Sequence, residues 1–332
     1  MKAICLPAPD DVKLQEVPTP AKPEPEHLII EMKYCAINEG DKAFIRLPLP
    51  AGAAKSLYDV YGVSGAGIVT AVGEGVPEAY KGKKVSVYRS LKPTDHTVGT
   101  WCSHAHLHFL NCVILPDDAN LEEYSGSIVN IITPYAFLKQ VSAQGHKGII
   151  GTAGNSATGI ALLGICLEAG FPLISIVRNE ESKRKLEALG ATHVVVQTDS
   201  AFREQLSEMG QTLATTAIFD GVGGEVLNKI IDIIPNNSVI YCYGYLGGAT
   251  PLTVHTRVMS AKGITITPFS NFKTDTVSNA EDLGNALSDI SRLIHLPPFK
   301  TKAGRKFTLP EIKDALLFTS TEGAKAILCP RE

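Results

Sequence analysis

The stretch GIIGTAGNSATGIALLGICLEAGFPLISIVR, residues 148–178, decides how the middle of this chain folds. It predicts four consecutive pieces: an apolar strand (148–152), a turn of small residues (153–159), an apolar helix (160–169) and a second strand (173–177). Arg178 follows the second strand directly. A helix between two apolar strands is the unit from which parallel sheets are built. The stretch therefore predicts a parallel sheet covered by helices.

The small-residue turn also indicates a phosphate site. A strand that runs through such a turn into a helix directs backbone N–H groups and the positive end of the helix to one point, where a pyrophosphate can bind. The strict G-x-G-x-x-G spacing is absent, and small residues also serve plain helix–strand packing. Arg178 is placed to meet the 2′-phosphate of NADP, with Lys183 as a possible second cation. The alternative for Arg178 is a solvated charge.

Composition sets the class of protein. The 332 residues are 44% hydrophobic and 20% charged, with a net charge of −3, which suits two domains with cores of their own. Nothing in this charge favours nucleic acid or an anionic membrane as a partner. The seven cysteines form no C-x-x-C pair and indicate free thiols in a reducing compartment. No apolar run is long enough to span a bilayer, so we expect a cytoplasmic protein.

Two kinds of pattern divide the chain. Up to residue 118, short β-prone runs alternate with turns rich in Pro, Gly and Asp, which predicts a curved barrel or sandwich with strands at 13–17, 27–34, 64–72, 84–88 and 101–108. A helix follows at 121–141, in which Pro134 either makes a kink or starts a second helix. Strands and helices then alternate to about 243. The end of the chain predicts helices at 280–294 and 309–317 and strands at 305–308 and 326–329.

Five separate motifs carry a family resemblance, and they occur in this order: CAINEGDKAFIR (35–46), YGVSGAGIVTAVGEGV (61–76), GTWCSHAHLHFLNCVILPDD (99–118), IVNIITPYAFL (128–138) and GAKAIL (323–328). With them the chain resembles the medium-chain dehydrogenase/reductase superfamily, in particular its zinc-free branch of NADPH-dependent quinone reductases and 2-enoyl thioester reductases. The resemblance implies an α/β protein. A doubly wound, parallel-sheet Rossmann domain (119–267) would bind NADPH, and a GroES-like β-rich catalytic domain would comprise 1–118 with 268–332. It also implies a homodimer formed through edge strands, with 250–258 as the candidate edge.

The resemblance further implies which residues bind the cofactor. The phosphates would meet the turn at Asn155, Ser156, Ala157, Thr158 and Gly159, with the Asn155 and Ser156 side chains as extra donors. The nicotinamide half would be lined by Thr133, Tyr243, Gly244, Phe269 and Lys325. Within the branch, AGNSATG (153–159) is more similar to the enoyl thioester reductase form of the turn than to the quinone reductase form.

We expect no metal. Where zinc-dependent relatives carry a Cys and a His ligand, this chain has Ile37-Asn38 and Gly62-Val63-Ser64. A rival zinc or copper site is formed by His104, His106 and His108, which alternate along a predicted strand and share a face. We expect these histidines at one edge of the barrel surface instead, because ligands normally converge from several elements.

The expected reaction is hydride transfer from NADPH to a quinone or to the β-carbon of an activated double bond. Asn38 either positions the carbonyl or the nicotinamide amide, or it caps the turn at 38–41. Enoyl thioester reductases place a proton-donating tyrosine at a spacing that falls on Ala51 here. Tyr58 and Tyr61 could substitute, or they pack at the rim while solvent supplies the proton.

Some alternatives stay open at this point. Asp41 and Asp59 are expected as solvated charges or turn formers. A 2-enoyl thioester reductase is the second hypothesis for the activity. The third belongs to another class: an NADPH-binding redox sensor or scaffold with little turnover.

Overall fold

The structure is a computed structural model that describes residues 1–48, 55–320 and 323–331. The chain divides into two compact units. Unit 1 comprises Met1–Val129 and Ala280–Glu332, and unit 2 comprises Asn130–Asn279. These limits fall later in the chain than residues 118 and 267, where the sequence analysis expects the domains to end. None of the helices in the described part of the chain has the length and apolar composition that crossing a bilayer requires.

Unit 1 begins as a set of antiparallel strands. Its elements before residue 127 are β1 (Lys2–Cys5), β2 (Lys13–Glu16), β3 (His27–Ala36), α1 (Glu39–Phe44), β4 (Ser64–Val72), β5 (Lys84–Tyr88), β6 (His104–His108) and β7 (Cys112–Ile114). The long strand β3 pairs antiparallel with both β4 and β6, and its residues 28–31 have partners in each of the two. The strands predicted at 64–72 and 84–88 are confirmed. Trp101, with no exposed surface, lies in the apolar core of this unit.

Unit 2 alternates strands and helices, as the sequence predicts. Its elements, with the helix that leads into it, are α2 (Ser127–Ala143), β8 (Ile149–Gly151), α3 (Ala157–Ala169), β9 (Leu173–Val177), α4 (Glu180–Ala188), β10 (Val194–Val196), α5 (Phe202–Thr212), β11 (Ala217–Asp220), α6 (Gly224–Ile230), β12 (Val239–Cys242), α7 (Thr256–Lys262), β13 (Thr265–Pro268) and α8 (Asp275–Ser278). Helix α2 is a single helix with Pro134 inside it, so no second helix starts there.

The chain returns to unit 1 after α8. The remaining elements are α9 (Ala280–Leu293), β14 (Ala303–Phe307), α10 (Ile312–Leu317) and β15 (Lys325–Leu328). Strand β15 pairs antiparallel with β3 and parallel with β14, so the end of the chain joins the sheet of its beginning. Short 3₁₀ helices complete the described residues, at Leu57–Asp59, Glu78–Tyr80, Phe109–Asn111, Leu121–Tyr124, Asn271–Lys273, Pro297–Phe299 and Leu309–Glu311.

The parallel sheet of unit 2 confirms the predicted doubly wound fold. Among the described residues its strand order is β10-β9-β8-β11-β12-β13. The central strands are buried along their whole length, which suits the apolar sequences LISIV and AIFD. The strand order reverses between β8 and β11, and ligands of such sheets bind at the carboxyl ends of the strands near this reversal. The turn 153–159 leaves β8 at that point.

One predicted edge of this sheet is wrong. The segment 250–258 forms no strand in the structure: it is an irregular connection that ends in the first residues of α7. The edge strand on that side is β13, which pairs with β12 along its whole length. The prediction missed β13 because ITITP is short and follows a glycine, and it took the β-branched residues before α7 for the strand.

Candidate active site

The turn 153–159, called the phosphate turn below, ends in a capped helix. The Ser156 side chain accepts a hydrogen bond from Gly159 N at 3.0 Å, and its hydroxyl donates to the Ala153 carbonyl at 2.8 Å. Serine is a favoured N-cap because its oxygen satisfies one of the free N–H groups at a helix start. The hydroxyl proton of Ser156 is therefore used within the turn, which leaves the backbone as the source of donors for a phosphate.

Two backbone donors of this turn are free. Among the described residues, no acceptor meets the N–H groups of Ala157 and Thr158, the first two of α3. Helix α3 has thirteen residues and carries a partial positive charge at this end. Gly159 keeps the turn tight, since a Cβ there would lie 2.1 Å from the Ala153 carbonyl oxygen. The turn fits an anionic phosphate group.

The start of α4 is tied to the phosphate turn. Asn155 Nδ2 donates to Ser182 Oγ at 3.1 Å, and Asn179 caps α4 by accepting from Ser182 N at 2.9 Å. Arg178 follows β9 and is exposed; its carbonyl accepts from Thr198 Oγ1 at 3.3 Å, and its side chain has no hydrogen bond or ion pair among the described residues. Lys183 lies in the first turn of α4 and is partly buried. The segments that carry Asn155, Arg178 and Lys183 therefore meet at this edge of the sheet, and the role of the three residues in binding a cofactor stays a prediction.

Tyr243 directly follows β12, at the same carboxyl edge of the sheet. Its ring stacks on Phe219 with 3.9 Å between the ring centroids, and burial raises the pKa of its hydroxyl more than a hydrogen bond with Ser156 lowers it. A Cβ on Gly221 would lie 2.5 Å from the Tyr243 hydroxyl oxygen, so this glycine makes room for the ring. Gly244 follows directly, with the Gly221 carbonyl oxygen 3.0 Å from the place of a Cβ.

Phe269 and Thr133 are the other two residues of unit 2 that are expected beside the nicotinamide. Phe269 is buried and packs edge-on against Phe137 and Phe219, with centroid separations of 5.2 and 5.7 Å. Thr133 is a partly buried residue of α2. Their role beside a nicotinamide stays a prediction, and the structure shows that Phe269 also belongs to an aromatic cluster.

In unit 1, four side chains meet in what we call the polar cluster: Asn38, Asp41, Ser64 and Lys325. Asn38 Nδ2 donates to Asp41 Oδ2 at 2.9 Å and to Ser64 Oγ at 2.9 Å. Asn38 N also donates to Asp41 Oδ2, at 2.8 Å, which starts α1. Lys325 Nζ donates to Asn38 Oδ1. The cluster joins the end of β3, the start of β4 and the start of β15.

The two charged members of the polar cluster have shifted pKa values. Burial raises the pKa of Asp41 to about 6, although hydrogen bonds from Asn38 and the positive charge of Lys325 act against it. Its Oδ1 is buried and has no partner among the described residues. Burial lowers the pKa of Lys325 to about 8, against the attraction of Asp41 and Glu39. The expectation that Asp41 is solvated is wrong, because α1 packs it inside; its role in forming the turn is confirmed.

The two candidate tyrosines differ in their surroundings. Tyr61 is buried, its hydroxyl donates to the Asp41 carbonyl at 3.2 Å, and its ring packs edge-on against Trp101. The guanidinium of Arg89 lies 5.6 Å from the Tyr61 ring centroid. Tyr58 is 48% exposed and has a φ of 58°, a left-handed conformation that is strained for tyrosine. Ala51, where the tyrosine spacing falls, lies outside the described residues.

The three alternating histidines are not a surface edge. His106 and His108 are buried, and only His104 is partly exposed. His106 stacks on His27 with 4.8 Å between the rings, its Nε2 accepts from Glu24 N, and its Nδ1 meets the His96 carbonyl. The expectation failed because the loop before β3 covers this strand. Throughout the described ranges, no three His, Cys, Asp or Glu side chains are arranged to hold a metal ion.

Two protein-family models match parts of this chain. The model of the alcohol dehydrogenase GroES-like domain matches residues 24–117, and the model of the zinc-binding dehydrogenase domain matches residues 157–286. The two occur in the order of the two units. The chain belongs to the medium-chain dehydrogenase/reductase superfamily.

Individual relatives are distant. The human synaptic vesicle membrane protein VAT-1 homolog is 24% identical over 245 residues, which are 71% of this chain and 58% of that protein. The mitochondrial enoyl-[acyl-carrier-protein] reductase of Bos taurus is 26% identical over 223 residues, 66% of this chain and 58% of that protein. The chain thus spans little more than half the length of the vesicle-membrane relatives that it matches.

A solved structure supports the fold over the whole chain. The quinone oxidoreductase of Escherichia coli complexed with NADPH aligns with a TM-score of 0.72 and 19% identity, covering 99% of each chain. At this identity the likeness shows that the two chains share a fold. It agrees with the parallel sheet and the β-rich unit described above.

The polar cluster includes two residues from the segments that carry zinc ligands in zinc-dependent relatives. Asn38 and Ser64 stand in the two segments where the sequence analysis places the zinc ligands of zinc-dependent relatives. Their side chains meet each other in a hydrogen bond. An amide and a hydroxyl are poor ligands for zinc compared with thiolate and imidazole.

Sequence reasoning missed Asp220 in the other unit. This buried carboxylate accepts from Thr152 Oγ1 at 2.7 Å and from Gly223 N at 3.0 Å, and it holds the loop after β11 beside the phosphate turn. Burial raises its pKa, and these hydrogen bonds lower it less. The signal was present: an aspartate that ends an apolar strand and precedes GVGG lies at the carboxyl edge of the sheet.

Proposed function

We propose that this protein is a zinc-independent, NADPH-dependent oxidoreductase that reduces a quinone or an activated carbon–carbon double bond. The observation that carries the proposal is the phosphate turn with its two free N–H groups, together with the unpaired Arg178 at the end of the neighbouring strand. The turn would hold the pyrophosphate, and Arg178 would pair with the 2′-phosphate. The NADPH complex of the structurally similar quinone oxidoreductase supports the choice of cofactor.

The polar cluster supports reduction without a metal. NADPH, when bound, supplies the hydride. The protein has to hold the acceptor in line and to stabilise the negative charge that develops on its oxygen. At the polar cluster, zinc would find no thiolate or imidazole at Asn38 and Ser64. Quinones and enones are electron-poor and accept hydride directly. An alcohol, by contrast, gives up hydride, and its hydroxyl must first lose a proton, which a metal ion promotes.

A 2-enoyl thioester reductase is the second candidate. The turn AGNSATG favours it, and so does the similarity to the bovine mitochondrial enoyl-[acyl-carrier-protein] reductase. Against it stands the tyrosine spacing that falls on Ala51. The third candidate, a redox sensor or scaffold, shares the NADPH site and differs in lacking turnover. Homodimerisation and a cytoplasmic location stay predictions.

One assay separates these candidates. Oxidation of NADPH is followed by its absorbance with 1,2-naphthoquinone, crotonyl-CoA and a simple alkenal as acceptors. Turnover of the quinone or alkenal well above that of crotonyl-CoA supports the proposal, and the reverse order supports the thioester reductase. Tight NADPH binding without oxidation by any acceptor would overturn both enzymes and leave the sensor. Failure to bind NADPH would overturn all three.

A further inference from the structure

Unit 1 contains a pocket that shares no residue with the polar cluster. Its volume is about 400 Å³, which lies within the range of small-molecule sites. Its walls come from β3, β5, the segment that leads into the 3₁₀ helix Leu121–Tyr124, and the chain after β15. All of its lining residues belong to unit 1, so one unit forms the whole pocket. We call it the basic pocket because three of the residues that line it are cations: Lys33, Lys84 and Arg331.

The cations of the basic pocket outnumber the carboxylates that contact them. Lys33 and Arg331 both pair with the same oxygen of Glu31, and the Lys33 contact measures 2.7 Å. Lys84 donates to the Ala119 carbonyl at 2.8 Å and has no ion pair among the described residues. Three cations thus share one carboxylate, which leaves an excess of two positive charges on the walls.

The two carboxylates that flank the lining residues 119–121 in the chain are paired with other lysines. Asp117 bonds to Lys83 at 2.9 Å, and Glu122 bonds to Lys306 at 2.8 Å. Neither Lys83 nor Lys306 lines the basic pocket. Because each of these carboxylates already has a lysine of its own, neither offsets the positive charge on the walls.

The neutral lining residues add hydrogen-bond donors. The Tyr34 hydroxyl and Asn120 Nδ2 have no partner within the described ranges. Asn120 uses its side-chain oxygen alone, which accepts from Glu122 N at 3.4 Å. The Tyr34 ring and Leu121 supply apolar surface beside these donors. The walls therefore combine positive charge, free donors and apolar contacts, the combination that suits an organic anion.

A phosphate monoester matches these walls in charge and in hydrogen bonding. It carries about 1.5 to two negative charges at neutral pH and has three oxygens that accept hydrogen bonds. Its charge thus balances the excess on the walls, and its oxygens can meet both the ammonium groups and the guanidinium. Phosphate alone is much smaller than the pocket, so there is room for an organic group attached to it.

We propose that the basic pocket binds a small molecule that carries a phosphate monoester. Lys33, Lys84 and Arg331 hold the phosphate oxygens, and the organic part lies against Tyr34 and Leu121. The phosphate turn belongs to unit 2, so the two anion sites have no residue in common. This binding does not depend on the proposed reductase activity.

Calorimetric titration of the full chain with phenyl phosphate tests the proposal. Inorganic phosphate lacks the organic group, and benzoate has a ring but a single charge, so these two are the comparison probes. We expect phenyl phosphate to bind roughly 10-fold more tightly than either of them. Absence of binding, or equal affinities for phenyl phosphate and benzoate, would overturn the proposal.

Three substitutions locate the bound probe. Lys84→Met and Arg331→Met should each weaken phenyl phosphate binding about 10-fold, because each removes a charge-assisted hydrogen bond. Glu31→Gln should instead tighten binding about threefold or more, since it releases Lys33 and Arg331 from a carboxylate and raises the positive charge of the walls. A variant that merely damages the fold would not bind the probe more tightly.

The control is Lys313→Met, at an exposed lysine of α10 in the same unit, which should bind phenyl phosphate as the wild type does. Thermal unfolding shows whether each variant folds. If Lys84→Met does not, Arg331→Met decides, because the Arg331 side chain is 53% exposed. Wild-type affinity in Arg331→Met, or a loss of affinity in Arg178→Ala alone, would put the probe outside the basic pocket and overturn the proposal.

Discussion

The phosphate turn and the polar cluster are built in opposite ways. The phosphate turn consists of seven consecutive residues whose backbone N–H groups would meet a phosphate, while the side chains of Asn155 and Ser156 contact Ser182 and cap α3. The polar cluster consists of four side chains that the chain brings together from positions 38 to 325. A site made of backbone groups is disrupted by an atom added where the backbone is tightly packed, but it accepts many different side chains elsewhere. A site made of side chains depends on the identity and charge of each one.

Gly159→Ala should have the largest effect, because it adds an atom where the backbone leaves no room. The new Cβ would lie 2.1 Å from the Ala153 oxygen and 2.7 Å from the Gly154 oxygen, so the turn has to open. We expect a loss of roughly 3 kcal/mol in the free energy of unfolding and no measurable NADPH binding. Urea unfolding and fluorescence titration measure the two effects.

A second glycine in a helix provides the matched control. A Cβ on Gly284, in α9, would meet only the Leu110 side chain at 3.8 Å, an ordinary contact. Gly284→Ala should therefore raise the free energy of unfolding by about 0.5–1 kcal/mol and leave NADPH binding unchanged. Equal effects of the two substitutions would contradict the assignment of the tight turn.

Arg178→Ala should weaken NADPH binding by about 10- to 100-fold, the usual loss when charge-assisted hydrogen bonds to a phosphate are removed. Binding of NADH, which lacks the 2′-phosphate, should stay the same. Arg184→Ala, at an exposed arginine of α4, is the control for general charge. Dissociation constants for both cofactors measure the preference, and an unchanged ratio for Arg178→Ala would contradict its assignment.

The contrast between the two sites explains what the sequence could predict. The phosphate turn lies within one strand–turn–helix segment, so its residues and their neighbour Arg178 were predictable from local pattern. The buried strands β8, β9 and β11 were predictable for the same reason. Asn38 was predictable as a candidate, but its contact with Lys325 depends on β15 pairing with β3, which no local pattern specifies. The burial of Asp41 and of His106 depends on distant segments in the same way.

Asp41→Asn tests whether the polar cluster carries a buried charge. In the wild type the folded state keeps the Asp41 proton up to about pH 6, whereas the unfolded chain releases it near 3.8. The folded state therefore binds more protons between these values, and the free energy of unfolding falls as the pH rises through them. The variant lacks this titration, so its advantage over the wild type should grow from pH 4 to pH 6 by on the order of 2 kcal/mol.

Chemical unfolding across that pH range measures the difference. Asp59→Asn, at an exposed position, is the control and should follow the wild-type curve. If the free energy of unfolding of wild type and Asp41→Asn changed with pH in the same way, the Asp41 carboxyl would titrate in the folded state as it does in the unfolded chain. The polar cluster would then be no more sensitive to charge than the phosphate turn.

Tyr58→Phe should have the smallest effect, because its hydroxyl has no partner among the described residues and the ring is half exposed. We expect kcat with the alkenal to change less than about twofold, far below the effect of losing a general acid. Tyr61→Phe is the matched variant. Its hydroxyl donates to the Asp41 carbonyl, so we expect a loss of about 1 kcal/mol in stability and a similar kcat. A tenfold or larger fall in kcat for either variant would make that tyrosine the proton donor.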